Sequence, residues 1–303
     1  MDIYLPIAGM SVNALFIVAL GGLVGVLSGL FGVGGGFLTT PLLIFYGIPP
    51  TVAVASATTQ ITGASVSGAL AHMRRGGVDL RMGLVMIVGG LFGSLAGAGI
   101  FRLLQASGQI DTVIGILYVL LLGSIGVLML RDAAVALGWI TPAERTEPKP
   151  RHNRWVAGLP LRWRFYQSGL YISPIAPVLL GFAAGILTVL LGIGGGFILV
   201  PAMIYLLGMA ARVVVGTSLV MILAVSAATT MIHALTTQSV DIVLAGLLLV
   251  GGVIGAQYGA MLTTRLKPDL LRLALALIII SVALRMALGL TYRPDEIFSI
   301  EYL

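Results

Sequence analysis

Gly32-Val33-Gly34-Gly35-Gly36-Phe37 sits inside a long apolar run, and it returns at an offset of 160 as Gly192-Ile193-Gly194-Gly195-Gly196-Phe197. Pro41 and Pro201 follow the two copies at the same distance. Each glycine inside a helix costs about 1 kcal/mol relative to alanine, so a cluster of them breaks the helix. Matched breaks in the two halves of an apolar chain point to a pair of interrupted membrane helices. In many transporters such discontinuous helices hold the substrate. The expectation is a transporter whose binding site lies at these two breaks.

Composition places the chain in the membrane. Of its 303 residues 58% are hydrophobic and only 9% charged, with a mean hydropathy of +1.09; a soluble domain carries about 25% charged residues. A bilayer core needs about 20 apolar residues of helix. On that rule the chain holds ten segments, at 13–31, 34–48, 52–72, 80–103 and 111–130, then 174–191, 194–208, 212–234, 240–264 and 269–290. The predicted class is an all-α polytopic membrane protein. Segments 34–48 and 194–208 reach only about 22 Å at 1.5 Å per residue, so a half-helix or re-entrant geometry is expected there. Irregular backbone at that depth is tolerated only inside protein or beside a water-filled cavity. The chain has no cysteine, which removes disulfide and thiolate chemistry. A cleaved signal peptide is not expected, because Met1 to Asn13 carries no Lys or Arg.

The duplication extends beyond the glycines. His72 matches His233, and Gly89, Gly90, Gly93 and Gly97 match Gly251, Gly252, Gly255 and Gly259. Glycines at this spacing mark helix faces that pack closely on a neighbour. The chain therefore divides into a first membrane repeat (1–130), a basic and aromatic linker (131–173) and a second repeat (174–303). Five segments per half is an odd number, so the second half must enter from the opposite side. With the N-terminus outside, the inner loops hold Arg74, Arg75, Arg81, the seven basic residues of the linker, Arg212, Arg265, Lys267 and Arg272, and the outer side keeps Arg102, Arg285 and Arg293. That distribution satisfies the positive-inside rule, and it predicts an inverted 5+5 repeat with both termini outside. The linker interleaves its cations with Trp155, Trp163, Phe165 and Tyr166. Beside membrane spans such a segment is expected to lie on anionic lipids and not to bind nucleic acid.

The acids are informative by position. All lie in loops, at segment ends or at the termini, with Asp79, Asp111, Asp241 and Asp269 at segment starts. Proton relays and cation sites in membranes usually rest on buried carboxylates. Three histidines in separate regions make no metal site, and no Ser-His-Asp set lies at membrane depth. No cofactor is expected. What the spans offer is hydrogen-bond donors. The first N–H groups of 34–48 and 194–208 point at the breaks with the positive ends of their helix dipoles, and glycine lets an oxyanion approach the backbone. Gly32, Gly34, Gly35, Gly36 and Phe37, with Gly192, Gly194, Gly195, Gly196 and Phe197, are the predicted backbone ligands. Thr39, Thr40, Ser56, Thr59, Gln60, Thr217 and Ser218 are the candidate side-chain contacts. Leu199 and Val200 replace Thr39 and Thr40 in the second copy, so the site is expected to be asymmetric. His72 and His233 are weaker candidates for gating or proton coupling. A pocket of donors without carboxylates suits a small anion.

The two glycine motifs with their prolines, and the Ala55-Ser56 and Gly216-Thr217-Ser218 stretches downstream, resemble the sulfite exporter TauE/SafE family of membrane permeases. The resemblance spans both halves and leaves out the linker. It implies transport of sulfite, sulfonates or related anions across a bacterial inner membrane. The combined reading is a secondary transporter, not an enzyme, that moves a small sulfur oxyanion by alternating access, with a homo-oligomer left open as its assembly. An anion channel and an intramembrane enzyme acting on a lipid or sulfur compound are the alternatives.

Overall fold

The computed structural model describes residues 2–31, 36–74, 76–138, 160, 162–262 and 268–291. The first glycine break (Gly32, Gly34 and Gly35), Arg75, most of the expected linker and the last twelve residues lie outside this set. Ten described helices fall on the ten predicted segments. In the first half they are α1 (Ala14–Phe31), α2 (Gly36–Phe45), α3 (Pro50–Arg74), α4 (Leu80–Ala106) and α5 (Ile110–Ala136). In the second they are α6 (Ile175–Leu191), α7 (Gly196–Tyr205), α8 (Ala211–Thr236), α9 (Ile242–Leu262) and α10 (Pro268–Thr291).

Among the described residues five helices are long and apolar enough to cross a membrane: α4, α5, α8, α9 and α10. At 25 residues α3 has the length but not the hydropathy. It carries Ser56, Thr58 and Gln60, all buried. A helix of that composition is stable in a bilayer only when other helices shield it. The ten-residue α2 and α7 rise only about 15 Å, short of a crossing, as the breaks predict. Pro41 and Pro201 lie inside them. Each lacks the N–H that would bond the carbonyl four residues back, on Phe37 and Phe197.

Two β-hairpins were not anticipated. β1 (Asp2–Leu5) pairs with β2 (Met10–Asn13), and β3 (Trp163–Phe165) with β4 (Leu170–Ile172). Each precedes the first helix of a half and turns through a glycine with positive φ, Gly9 (+66°) or Gly169 (+65°). Asn13 then caps α1 by accepting from Leu15 N and Phe16 N, and Ser173 Oγ accepts from Ile175 N. The second hairpin and the extension of α5 to Ala136 take up both ends of the segment read as linker.

The main helix–helix interfaces run α1 with α9, α4 with α6, α5 with α10 and α3 with α8. All join the first half of the chain to the second. They also follow a two-fold pattern, because exchanging each helix for its repeat mate turns α1–α9 into α6–α4 and returns α3–α8 and α5–α10 to themselves. The glycine stripes make the first two interfaces. A Cβ on Gly251, Gly255 or Gly259 would strike the α1 backbone at Val18, Gly22 or Val26. One on Gly89 or Gly93 would strike the α6 backbone at Val178 or Phe182. Only a bare Cα permits such backbone contact.

The same pattern governs both ends of the molecule. Asp79, 2% exposed, caps α4 by accepting from Met82 N (3.1 Å), and Asp241, 0% exposed, caps α9 by accepting from Leu244 N (3.1 Å). Their second oxygens accept the hairpin turns: Ser168 N on Asp79 (3.0 Å) and Ile7 N on Asp241 (3.1 Å). Their own N–H groups donate to the other half, Asp79 N to Thr217 Oγ1 (2.9 Å) and Asp241 N to Ser56 Oγ (3.3 Å). Each carboxylate thus ties a helix start, a hairpin and a polar helix together.

Candidate functional site

At the second break α6 ends on Gly192, whose φ of +67° is left-handed, and α7 begins after Gly195 at φ +73°. Gly194 between them has φ +70°. An L-residue in that region costs about 1–2 kcal/mol, which is why the motif is built from glycine. The turn also brings backbone into close contact, since a Cβ on Gly192 would lie 2.7 Å from Val54 O of α3.

The carbonyls released where α6 stops are taken up by side chains from other helices. Val189 O meets His233 Nε2 at 3.1 Å, and Leu191 O accepts the Tyr118 hydroxyl of α5. A carbonyl partner requires that His233 carry its proton on Nε2. The amides have no such provision. Ile193, Gly194, Gly195, Gly196 and Phe197 are all buried, and among the described residues none of their N–H groups finds an acceptor. The first hydrogen bonds into α7 come from Ile198 N and Leu199 N, both to Gly195 O. Five successive donors therefore lie at the positive end of α7.

The described part of the first break meets the second. A Cβ on Gly36 would lie 3.0 Å from Ile193 O and would strike Ile61 of α3. Phe37 and Phe197 stack with their centroids 4.4 Å apart and their planes within 5°. Ile61 and its repeat mate Ile222 both reach Gly194. Thr40, fully buried, points at Gly192 and lies by the Tyr118 hydroxyl, but Oγ1 forms no hydrogen bond of good geometry. The structure thus brings together Gly36, Phe37, Thr40 and the stretch from Gly192 to Phe197. Thr39 is buried in the same helix.

The other predicted residues sit elsewhere. Ser56 and Thr217 receive the Asp241 and Asp79 amides at opposite ends of the molecule. Ser218 Oγ bonds back to Val215 O at 3.0 Å, and Thr59 Oγ1 to Ala55 O at 3.2 Å with Thr230 Oγ1 3.5 Å away. Gln60 crosses to α9, where Nε2 donates to Leu248 O (3.3 Å) and Oε1 has no partner. His72 is half-buried against Gly216 at the start of α8. His233 is fully buried and edge-on to Phe101. Sequence reasoning missed Tyr118, whose mid-span phenol in an apolar helix was the available signal, and the two capping aspartates, which share the offset of the glycine stripes.

The family model described as "Sulfite exporter TauE/SafE" matches residues 17–286. A protein named "Probable membrane transporter protein" from Xylella fastidiosa (strain Temecula1) is 30% identical over 280 residues, covering 91% of this chain and 95% of its own length. The Bacillus subtilis (strain 168) "Probable membrane transporter protein YjnA" is 30% identical over 275 residues, covering 89% and 98%. No solved structure matches.

Proposed function

From the premise that this chain belongs to the sulfite exporter TauE/SafE family, and is with it a multi-pass membrane transporter, we propose that it carries sulfite or a small organosulfonate across the bacterial inner membrane by alternating access. The observation that carries the anion reading is the run of five buried amides from Ile193 to Phe197 without acceptors among the described residues. An unsatisfied buried polar group costs about 1–3 kcal/mol, so such a run calls for a ligand rich in acceptors. A sulfur oxyanion offers several oxygens, and the α7 dipole favours its charge. A cation would meet the same dipole with the wrong sign. Gly32, Gly34 and Gly35 would complete the site from the first half, with Thr40 as the side-chain donor.

The two-fold contacts support an inverted repeat with both termini periplasmic. The hairpin turn at Ile7 touches Asp241, and the turn at Ser168 touches Asp79. The charge count assigns the members of each pair to the same face, the first outside and the second inside. On this reading the moving units are not the two halves of the chain. One unit is β1–β2, α1 and α9, held by Asp241 and joined to α3 through Ser56. The other is β3–β4, α6 and α4, held by Asp79 and joined to α8 through Thr217. They slide past each other where α3 meets α8, around the glycine breaks. The basic linker, most of which lies outside the described residues, is assigned by its charge alone to the anionic inner leaflet.

The test is thermal unfolding of the purified protein in detergent against sulfite, sulfate, thiosulfate, sulfoacetate and acetate. A ligand at 100 times its Kd stabilises by about 2.7 kcal/mol. Selective stabilisation by sulfite or sulfoacetate is expected. A flat response to every anion would overturn the assignment.

A further inference from the structure

A second site lies away from the breaks. A cavity of about 280 Å³ opens where the end of α2, the start of α3, the start of α5 and the end of α10 meet, and Phe45, Asp111, Gly115, Arg285, Gly289 and Leu290 are among its lining residues. It holds two opposite charges that do not neutralise each other: among the described residues neither Asp111 nor Arg285 forms an ion pair. The Arg285 guanidinium instead lies 5.3 Å over the Phe45 ring, a contact that holds a cation in place and leaves its N–H donors free for an anion.

The two charges sit at different depths. α5 and α10 are antiparallel neighbours, since Gly115 faces Leu290 while Gly126 faces Ile279 and Ile280. In that register Arg285 is level with residue 120, about 13 Å of helix rise from Asp111, which occupies the first turn of α5. Asp111 is therefore carried at the helix end and Arg285 from a deeper level of α10. Inward from Arg285 the two helices carry exposed apolar side chains, Leu284 and Leu277 of α10 and Leu120 and Val127 of α5. The architecture does not demand this arginine. Residues 121–129, which contain its repeat mate in any plausible register, include no basic residue.

We propose that this cavity binds the head group of an aminophospholipid from the surrounding leaflet. The ammonium sits at Asp111, the phosphate at Arg285, and the acyl chains run along Leu120, Val127, Leu284 and Leu277. The order of charges selects this occupant. In a phospholipid the amine is outermost, the phosphate beneath it and the chains deepest, which is the order in which the two helices carry Asp111, Arg285 and the exposed apolar strip here. An anionic phospholipid would satisfy Arg285 but place no cation at Asp111. A free zwitterion would leave the apolar strip unused. Gly289, beside which a Cβ would meet nothing within 4 Å, leaves room for the head group.

The experiment uses the whole protein in detergent, with phosphatidylethanolamine, phosphatidylglycerol and free phosphoethanolamine added in parallel, and reads both bound lipid by native mass spectrometry and the melting temperature. Phosphatidylethanolamine is expected to bind about tenfold better than phosphatidylglycerol, the effect of one added charge-assisted contact, and free phosphoethanolamine to give no shift. Arg285→Gln should lose both lipids. Asp111→Asn should abolish the preference between them while retaining phosphate-dependent binding. Equal binding of the two lipids by the unaltered protein, or undiminished phosphatidylethanolamine binding by Arg285→Gln, would overturn the proposal. A shift with free phosphoethanolamine as large as with the lipid would overturn the lipid assignment. The comparison on the unaltered protein decides the matter even where a variant fails to fold, and no arm depends on the anion bound at the glycine breaks.

Discussion

Replacing the three left-handed glycines one at a time with alanine separates backbone strain from crowding. All three lie at φ between +67° and +73°, so each alanine costs about 1–2 kcal/mol from conformation alone. Their surroundings differ. At Gly195 the added Cβ would meet only side chains, Ala184 Cβ at 3.2 Å and Leu199 Cδ1 at 3.4 Å. At Gly194 it would press on Ile61 Cγ2 at 2.7 Å, and at Gly192 on the Val54 backbone, O at 2.7 Å and Cα at 2.9 Å. A side chain can give way and a helix backbone cannot, so Gly192→Ala adds an overpacking cost of about 1–3 kcal/mol. With about 2–4 °C per kcal/mol, Gly195→Ala should lower the melting temperature by about 2–8 °C and Gly192→Ala by about 4–20 °C, with Gly194→Ala between them. Function should follow a different scale. Relief of left-handed strain rotates the peptide planes from Ile193 to Phe197, so Gly195→Ala should fold and yet lose most of its stabilisation by sulfite and most of its sulfite flux in proteoliposomes. Wild-type flux in Gly195→Ala, or a Gly192→Ala protein as stable as wild type, would refute the reasoning.

Asp79→Ala and Asp241→Ala each remove a helix cap, worth about 1 kcal/mol, and the acceptor of a hairpin amide, worth about 1–3 kcal/mol. Unfolding measurements should find similar losses for the two, additive in the double mutant. Tyr118→Phe should cost about 1–3 kcal/mol by leaving Leu191 O unpaired, which thermal unfolding will report. His233→Gln, which keeps an N–H donor for Val189 O, should be milder than His233→Leu, again by melting temperature. The chain has no cysteine, so Thr59→Cys with Thr230→Cys, whose hydroxyls lie 3.5 Å apart, gives a clean disulfide between α3 and α8. Oxidation should stop flux and reductant restore it; flux unaffected by the cross-link would remove α3–α8 as the sliding surface.

The helices and their breaks were legible because the signals are local: apolar run length, glycine clusters and proline position. The hairpins were not. Asp2 to Asn13 is short, carries no strong alternation and precedes an apolar run, so it reads as the lead-in to a span. Its order comes from distant partners, the burial of Leu5 and Val12 among Leu43, Leu244 and Leu248 and the bond from Ile7 N to Asp241, more than two hundred residues away. The site was half legible. The glycine motifs located the amides, but hydroxyls near them in sequence cannot be sorted by residue type. Ser56 and Thr40 look alike as small alcohols in polar stretches, yet Ser56 receives the Asp241 amide while Thr40 faces Gly192. The mid-span phenol of Tyr118 was visible but its role was not, because its partner is a carbonyl, and carbonyls freed by a break leave no mark in the sequence.

The interleaving of the halves bears on how a duplicated chain can alternate. Had each half packed on itself, rocking one against the other would open a single large interface lined with apolar side chains. Here the closest contacts, the glycine-lined α1–α9 and α4–α6 pairs, each contain one helix from either half. They are packed backbone to backbone, which resists sliding. The α3–α8 contact is made instead through small hydroxyls, Thr58 and Thr59 with Thr230, at 3.4–3.5 Å. Such long, weakly oriented pairs are readily exchanged for others one turn away. On the proposed alternating-access reading, the α3–α8 contact is therefore the one that yields. The amides from Ile193 to Phe197 lie beside the yielding interface, against Ile61 of α3 and Ile222 of α8. An anion held there would touch both units at once, which is the condition under which its binding can bias the equilibrium between them.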